Sequence, residues 1–182
     1  MLYTRKGDKG DTYFFESKDR FSKSGDRAEA LGALDEINSL LGICKAEARK
    51  TDIQIEGRTL PHILEQVQQD LFIIQAALAG ADKQITQEKV DFLEKIVDWI
   101  EKELPPITTF FLSGGTELSA LLDYTRAVSR TVERRVIKYL ETGKIEVKPE
   151  IPSYLNRLSS LLYALVRYVN LKSNIQEIPP SY

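Results

Sequence analysis

The sequence predicts an all-α fold, an antiparallel five-helix bundle preceded by a non-helical N-terminal segment. Apolar residues recur at three- and four-residue spacing in five separate stretches, most of them bounded by a cap or breaker residue. The joints between those stretches are short, as neighbouring antiparallel helices require. The first 25 residues, rich in glycine and charge, show no such period.

The first helix is predicted from about Asp26 to Arg49, with Leu34, Ile37, Leu41, Cys44 and Ala48 as its packing seam. Residues 51–58 read as a loop. Thr59 or Leu60 opens the second helix, with Pro61 in the first turn, where a missing N–H costs little, and Gly80 beyond its end. Thr86 caps the third, which carries Val90, Leu93, Ile96, Val97 and Ile100 and stops at Pro105-Pro106. Residues 107–115 form a connector.

The fourth stretch, 113–142, is the one the others are arranged around. Ser113 or Thr116 suits its N-cap, Glu117 its first turn, and Gly143 its stop. About 27 helical residues would span roughly 40 Å. Ser153 is expected to cap the last helix, with Leu155, Leu158, Leu162, Leu165, Val166 and Val169 on its core face. The closing Pro-Pro-Ser-Tyr is expected to fray.

A chain of 182 residues is expected to form a single domain: residues 1–25 a loop segment, 26–172 the bundle, 173–182 a tail. Hydrophobic residues make up 42% and charged residues 29%, in the ordinary globular range, and the net charge of -2 argues against a nucleic-acid partner. One cysteine excludes an internal disulfide and suits a reducing compartment. No apolar run approaches the ~20 residues of a membrane span, and no targeting segment is visible, so a cytoplasmic location is expected. His62 is the single histidine, which excludes a di-iron bundle built on two Glu-x-x-His pairs.

Three groups of residues and one connector aromatic carry candidate chemistry. Along the fourth helix, Asp123, Arg126, Arg130, Glu133 and Arg134 stack on one face. Such a stripe is either a solvated flank or an anion site; its mid-helix position and three guanidiniums, shaped for phosphate, argue for the second. The segment from Tyr3 to Thr12 combines glycines, cations and hydroxyls as a phosphate chain requires, although Gly-Asp-Lys-Gly alone equally fits a polar turn and no P-loop pattern is present. Tyr13, Phe14 and Phe15 could pin that loop to the body. On the first helix, Asp35, Asn38 and Gly42 flank the seam, either solvated or facing the arginine stripe. Phe110 in the connector either packs into the core or meets a ligand.

Taken together, Thr-Arg-Lys-Gly-Asp-Lys-Gly-Asp-Thr from residue 4, Ala-Leu-Gly-Ala-Leu-Asp-Glu-Ile-Asn-Ser from 30, Phe-Phe-Leu-Ser-Gly-Gly from 110, Arg-Ala-Val-Ser-Arg-Thr-Val-Glu-Arg-Arg from 126 and the Tyr154–Tyr168 helix are recognisable. The chain resembles ATP:cob(I)alamin adenosyltransferases of the propanediol-utilisation type over nearly its whole length. The resemblance implies a trimer of five-helix bundles with sites at subunit interfaces. It implies a triphosphate loop of Thr4, Arg5, Lys6, Gly7, Asp8, Lys9, Gly10 and Thr12, followed by Lys23. Arg130, Glu133, Arg134 and Asn156 would complete the ATP site from a neighbouring subunit. Asp35 and Arg126 would be a buried or interfacial ion pair near the corrinoid, and Phe110 would cover the lower face of cobalt. Ser113 stands where the family has proline, Asp123 where it has histidine, Thr131 where it has a second arginine, and Asp11 puts an acid inside the loop.

The implied reaction is transfer of the 5′-deoxyadenosyl group of ATP, with Mg²⁺ on its phosphates, to cob(I)alamin or a related corrinoid, releasing triphosphate. No protein nucleophile is needed, because cobalt(I) attacks C5′ itself; Lys9, Arg130, Arg134 and Mg²⁺ would stabilise the leaving group. A cobalamin reductase would supply the reduced acceptor. The alternative is an ATP-binding helical regulator or sensor with no corrinoid chemistry, which would have no use for Phe-Phe-Leu-Ser-Gly-Gly or the Asp35 and Arg126 pair.

Overall fold

The computed structural model describes residues 3, 5–13 and 19–181. Five helices dominate the described residues: α1 (Asp26–Ala48), α2 (Leu60–Leu78), α3 (Gln87–Glu103), α4 (Glu117–Leu140) and α5 (Glu150–Lys172). Two short antiparallel hairpins accompany them, β1 (Asp11–Thr12) with β2 (Phe21–Ser22), and β3 (Gln54–Ile55) with β4 (Arg58–Thr59).

In space α1 packs between α2 and α4, and α5 between α4 and α3. Helices α1 and α4 run in opposite directions. Lys138 meets Asp26 at 2.8 Å near one end, and Thr125 meets Cys44 at 3.3 Å near the other. Helices α4 and α5 are antiparallel too, Asn156 reaching Glu133 and Asn170 reaching Gly114. By contrast α3 and α5 run the same way, since Arg157 pairs with Glu94 while Tyr168 stacks edge-on against Trp99. The N-terminal loop therefore lies at the end of the bundle where α4 finishes, and the 104–116 connector at the opposite end, where α4 begins.

Fully buried aliphatic side chains from all five helices form one core, including Leu34, Ile37, Leu64, Leu71, Leu93, Leu122, Val132, Leu158 and Leu165. Cys44 lies in it, and burial pushes its thiol pKa up, as suits a packing residue. One polar cluster penetrates the core. Asp70 is fully buried and accepts from Tyr154 Oη at 3.1 Å, from Gln66 Nε2 at 3.1 Å and from the Lys89 ammonium, tying α2, α5 and α3 together. Burial, with the Asp70 carboxylate beside it, holds the Tyr154 hydroxyl well above its ordinary pKa.

Two expectations are corrected. Residues 51–58 are not a plain loop, because Glu56 and Gly57 both take positive φ (51° and 74°) and close the β3–β4 hairpin. Helix α5 starts a turn before Ser153, at Glu150 after Pro149; Pro152 falls inside the first turn, where its missing N–H has no helical partner to lose. Ser153 Oγ donates to the Pro149 carbonyl at 2.9 Å instead of capping. The C-terminal segment packs along the connector, with Leu112 N donating to Ile178 O at 2.8 Å and Ile175 N to Asn170 O at 2.9 Å.

Candidate active site

The N-terminal loop is built around a reversal of the chain. Arg5 and Gly10 take positive φ (58° and 81°), and Gly10 N donates to Gly7 O at 3.2 Å. Two cations bind the loop from β2 and its flanks. Lys23 Nζ donates to Gly7 O at 2.9 Å, and its backbone N–H donates to Gly10 O at 2.9 Å. A Cβ on Gly7 would lie 2.8 Å from Lys23 Nζ, so glycine leaves room for the ammonium there. Arg20 grips the Lys6 carbonyl and the Asp11 carboxylate together, and its side-chain hydrogen bond holds the Asp11 pKa below the ordinary value. Asp11 is thereby paired within the loop. Lys9 is exposed and has no partner among the described residues; Asp8 is exposed as well. Thr12 sits on β1, its hydroxyl donating to Tyr13 O at 3.3 Å. Thr4, Phe14 and Phe15 lie outside the described residues.

Helix α4 begins at a capping box, Thr116 Oγ1 accepting from Ser119 N while Ser119 Oγ accepts from Thr116 N. That cap sets the phase of the stripe. Asp123 is 8% exposed, Arg126 and Glu133 are half-buried, and Arg130 and Arg134 face solvent. Arg130 has no partner among the described residues, whereas Arg134 Nη2 donates to Thr131 Oγ1 at 3.0 Å. On α5, Asn156 Nδ2 donates to Glu133 Oε1 at 3.1 Å, and Arg157 Nη1 donates to Asn156 Oδ1 at 2.8 Å. Asn156 is thus held in one orientation from both sides.

Two cavities run along this face, and Arg130 lines both. One, of about 630 Å³, opens between the connector and the α4–α5 pair and is lined by Ile107, Phe110, Phe111, Asp123, Arg126 and Tyr163 among others. The other, of about 290 Å³, is lined by Arg130, Glu133, Arg134 and Lys138 with Ile137 and Glu141. The first is aromatic and large enough to hold part of a planar ligand; the second is rich in cations. Phe110 is 78% exposed beside the larger one, so the core-packing reading fails for it. Its neighbour Phe111 is half-buried under the Arg167 guanidinium, 5.3 Å from the ring centroid. A Cβ on Gly115 would collide with Asn170 Oδ1, which makes glycine necessary where the connector meets α5.

The structure brings some predicted residues together and leaves others apart. Arg126 pairs within the chain with Asp123, Nε to Oδ1 at 2.6 Å, and lies over the Tyr163 ring at 6.0 Å. Asp35 does not reach it: that residue is exposed on α1, its side chain making no ion pair among the described residues. Asn38 does not face the stripe either; it is buried against α2, where its carbonyl accepts from Gln68 Nε2 at 2.9 Å. No described residue of the N-terminal loop lines either cavity. Sequence reasoning missed Tyr163 and Ser159 on the α5 wall, which a flank position beside the Leu158 and Leu162 core face would have suggested. It also missed the hydrogen bond from Ser113 Oγ to Asp123, which joins the connector to α4.

A model of the cobalamin adenosyltransferase family matches residues 2–169. A corrinoid adenosyltransferase of Bacillus subtilis is 35% identical over 97% of this chain and 90% of its own length. The PduO corrinoid adenosyltransferase of Salmonella typhimurium is 37% identical over 91% of this chain, which spans about half (48%) of that longer protein. Among solved structures, a variant PduO-type ATP:corrinoid adenosyltransferase from Lactobacillus reuteri, complexed with cobalamin and ATP, superposes over the full length of both chains with a TM-score of 0.87 at 27% identity.

Proposed function

The chain belongs to the cobalamin adenosyltransferase family, and on that premise we propose that it transfers the 5′-deoxyadenosyl group of ATP to a reduced corrinoid, releasing triphosphate. The observation that carries the reading is that Arg130 lines both cavities, an aromatic groove and a cationic one. A donor with an anionic tail and a planar acceptor would meet beside Arg130. The corrinoid supplies the nucleophile: a cobalt–carbon bond forms at C5′ as the bond to the triphosphate oxygen breaks and its electron pair leaves with the triphosphate.

The residues of this chain then have three tasks. Arg130 and Arg134, with Lys9, neutralise charge growing on the leaving group, and Mg²⁺ carried by the phosphates shares that role. Glu133 and Asn156 hold the nucleotide side of the groove in place, Asn156 already fixed by Glu133 and Arg157. Phe110, exposed beside the aromatic groove, covers the lower face of the corrinoid and excludes water and base from cobalt. Arg5, Lys6, Gly7, Asp8, Gly10, Thr12 and Lys23 shape the triphosphate loop, with Thr4 assigned from the motif.

No described residue of the N-terminal loop lines either cavity, which supports completion of each site by a neighbouring subunit in a closed trimer. In that assembly Asp35 of one subunit would approach Arg126 of the next. A reductase partner supplies the reduced acceptor. Among the described residues no helix is long and apolar enough to cross a membrane. The sensor alternative leaves the aromatic groove and Phe110 without a role and is not favoured. Mixing the protein with ATP, Mg²⁺ and chemically reduced cobalamin should yield the absorption spectrum of a cobalt–carbon product; a spectrum unchanged from that of the protein-free mixture would refute the reading.

A further inference from the structure

Asp123 is nearly buried, yet it is not a residue of the apolar core. Both carboxylate oxygens are engaged, and by different elements. Oδ1 accepts from Arg126 Nε at 2.6 Å on its own helix, and Oδ2 accepts from Ser113 Oγ in the connector. An exposed ion pair three residues apart on a helix contributes little to stability and would mean little. Here the carboxylate side chain is 11% exposed, and its second oxygen reaches ten residues back along the chain. Three residues before Ser113 stands Phe110. Ser113, Asp123, Arg126 and Phe110 all line the same 630 Å³ cavity.

The orientation of Arg126 follows from this arrangement. Its Nε is taken by Asp123 and its guanidinium lies over Tyr163, so the plane is held from the edge and from a face. The Nη groups have no hydrogen-bond partner among the described residues. We propose that Asp123 is a positioning residue for the corrinoid side of the site. It holds Arg126 by one oxygen and the Phe110 connector by the other, and so fixes the guanidinium and the aromatic cover relative to each other. The ionic group within the chain and the aromatic that meets the ligand then move as one unit. A proline at 113 could not donate to this carboxylate, so the serine and the aspartate act as a pair.

This inference rests on the proposed function, and two readouts separate them. The first needs no activity: amide hydrogen exchange across residues 107–112 is measured in the substrate-free protein. Asp123→Ala and Ser113→Ala should each accelerate it, with the melting temperature nearly unchanged in Ser113→Ala. The second is kinetic. Asp123→Ala should raise KM for the corrinoid by about tenfold, the scale of one charge-assisted hydrogen bond, while KM for ATP stays within about twofold. Asp123→Asn, which still accepts from Ser113, should fall between Asp123→Ala and wild type. Ser113→Ala should add nothing in the Asp123→Ala background, because both changes break the same link. Unchanged exchange at 107–112, equal rises in both KM values, or additive effects would overturn the proposal. Faster exchange in both variants, together with a wild type that forms no cobalt–carbon product, would instead leave the link standing and sink the functional reading.

Discussion

Arg167 Nε donates to Glu177 Oε2 at 3.0 Å, with the guanidinium only 3% exposed. The same guanidinium donates from Nη1 and Nη2 to the Pro105 carbonyl at 3.3 Å and covers the Phe111 ring. One buried cation thus joins α5, the C-terminal segment and the start of the connector. Without Glu177, Arg167 would be a buried charge with only a carbonyl for company. Glu177→Ala should destabilise the protein by roughly 1–3 kcal/mol, less than a fully buried pair because the glutamate is partly solvated. Glu177→Gln should restore part of the loss. Urea unfolding measures both, and a Glu177→Ala midpoint equal to wild type would show that the pair contributes nothing.

The loop makes a pH prediction. The Arg20 hydrogen bond sets the folded pKa of Asp11 below its ordinary value. A depressed folded pKa means the stabilisation is fully present above the unfolded pKa and disappears as pH falls through the folded one. Amide exchange of residues 7–12, corrected for its intrinsic pH dependence, should therefore be flat from neutral pH down to about pH 5 and rise only in stronger acid. Asp11→Asn should show the faster exchange already at neutral pH. A protection change in the wild type centred near neutrality would mean that another group holds the loop.

Arg130 lines both cavities and has no partner among the described residues. Arg130→Ala should lower kcat by about 10²–10³, the cost of removing one preorganised donor to a developing negative charge, or about 2.7–4 kcal/mol. The fold should survive, since the side chain is exposed and off the apolar band. Steady-state kinetics and circular dichroism together test this. Near wild-type turnover would remove Arg130 from the leaving-group site.

Much of the bundle was legible because helix periodicity is local. Thr116 announces the start of α4 by its own chemistry, and the seam from Leu34 to Ala48 is buried throughout. What was not legible depends on non-local paths or on unusual backbone. Glu56 supplies a positive φ that sequence rules reserve for glycine or asparagine, so the β3–β4 hairpin read as a loop. Pro149 and Pro152 precede the expected cap Ser153 but serve as cap and first turn of α5. The stripe was visible as a stripe, and the spacing of Asp123 and Arg126 permits their bond. Nothing local could show that Ser113 returns to the same carboxylate, because that needs the course of the connector, itself held by Arg167 and Ile178.

Cys44 is fully buried against Thr125, with its thiol pKa raised by burial, and so is unsuited to nucleophilic attack. Transfer should be direct, within a ternary complex of ATP and corrinoid. Cys44→Ala should keep its turnover and lose stability by roughly 1 kcal/mol from the small cavity left behind. Initial-rate patterns varying both substrates test the point. Parallel lines indicating a ping-pong sequence, or an adenosylated protein trapped with ATP alone, would contradict direct transfer.

The absence of loop residues from the lining of both cavities leads to a test of assembly. If each site takes its loop from one subunit and its stripe from the next, two different lesions can be segregated by mixing. Lys9→Ala and Arg130→Ala, each impaired alone, are dissociated together and reassembled in equal amounts. Each site then draws its loop and its stripe independently, so about one site in four receives both intact in a closed head-to-tail ring. Recovered activity near a quarter of wild type is the expected result. If loop and stripe of one chain served the same site, every site would carry one lesion and mixing would restore nothing. Native mass spectrometry confirms that mixed trimers have formed; mixed trimers with no recovery would place each complete site within a single subunit.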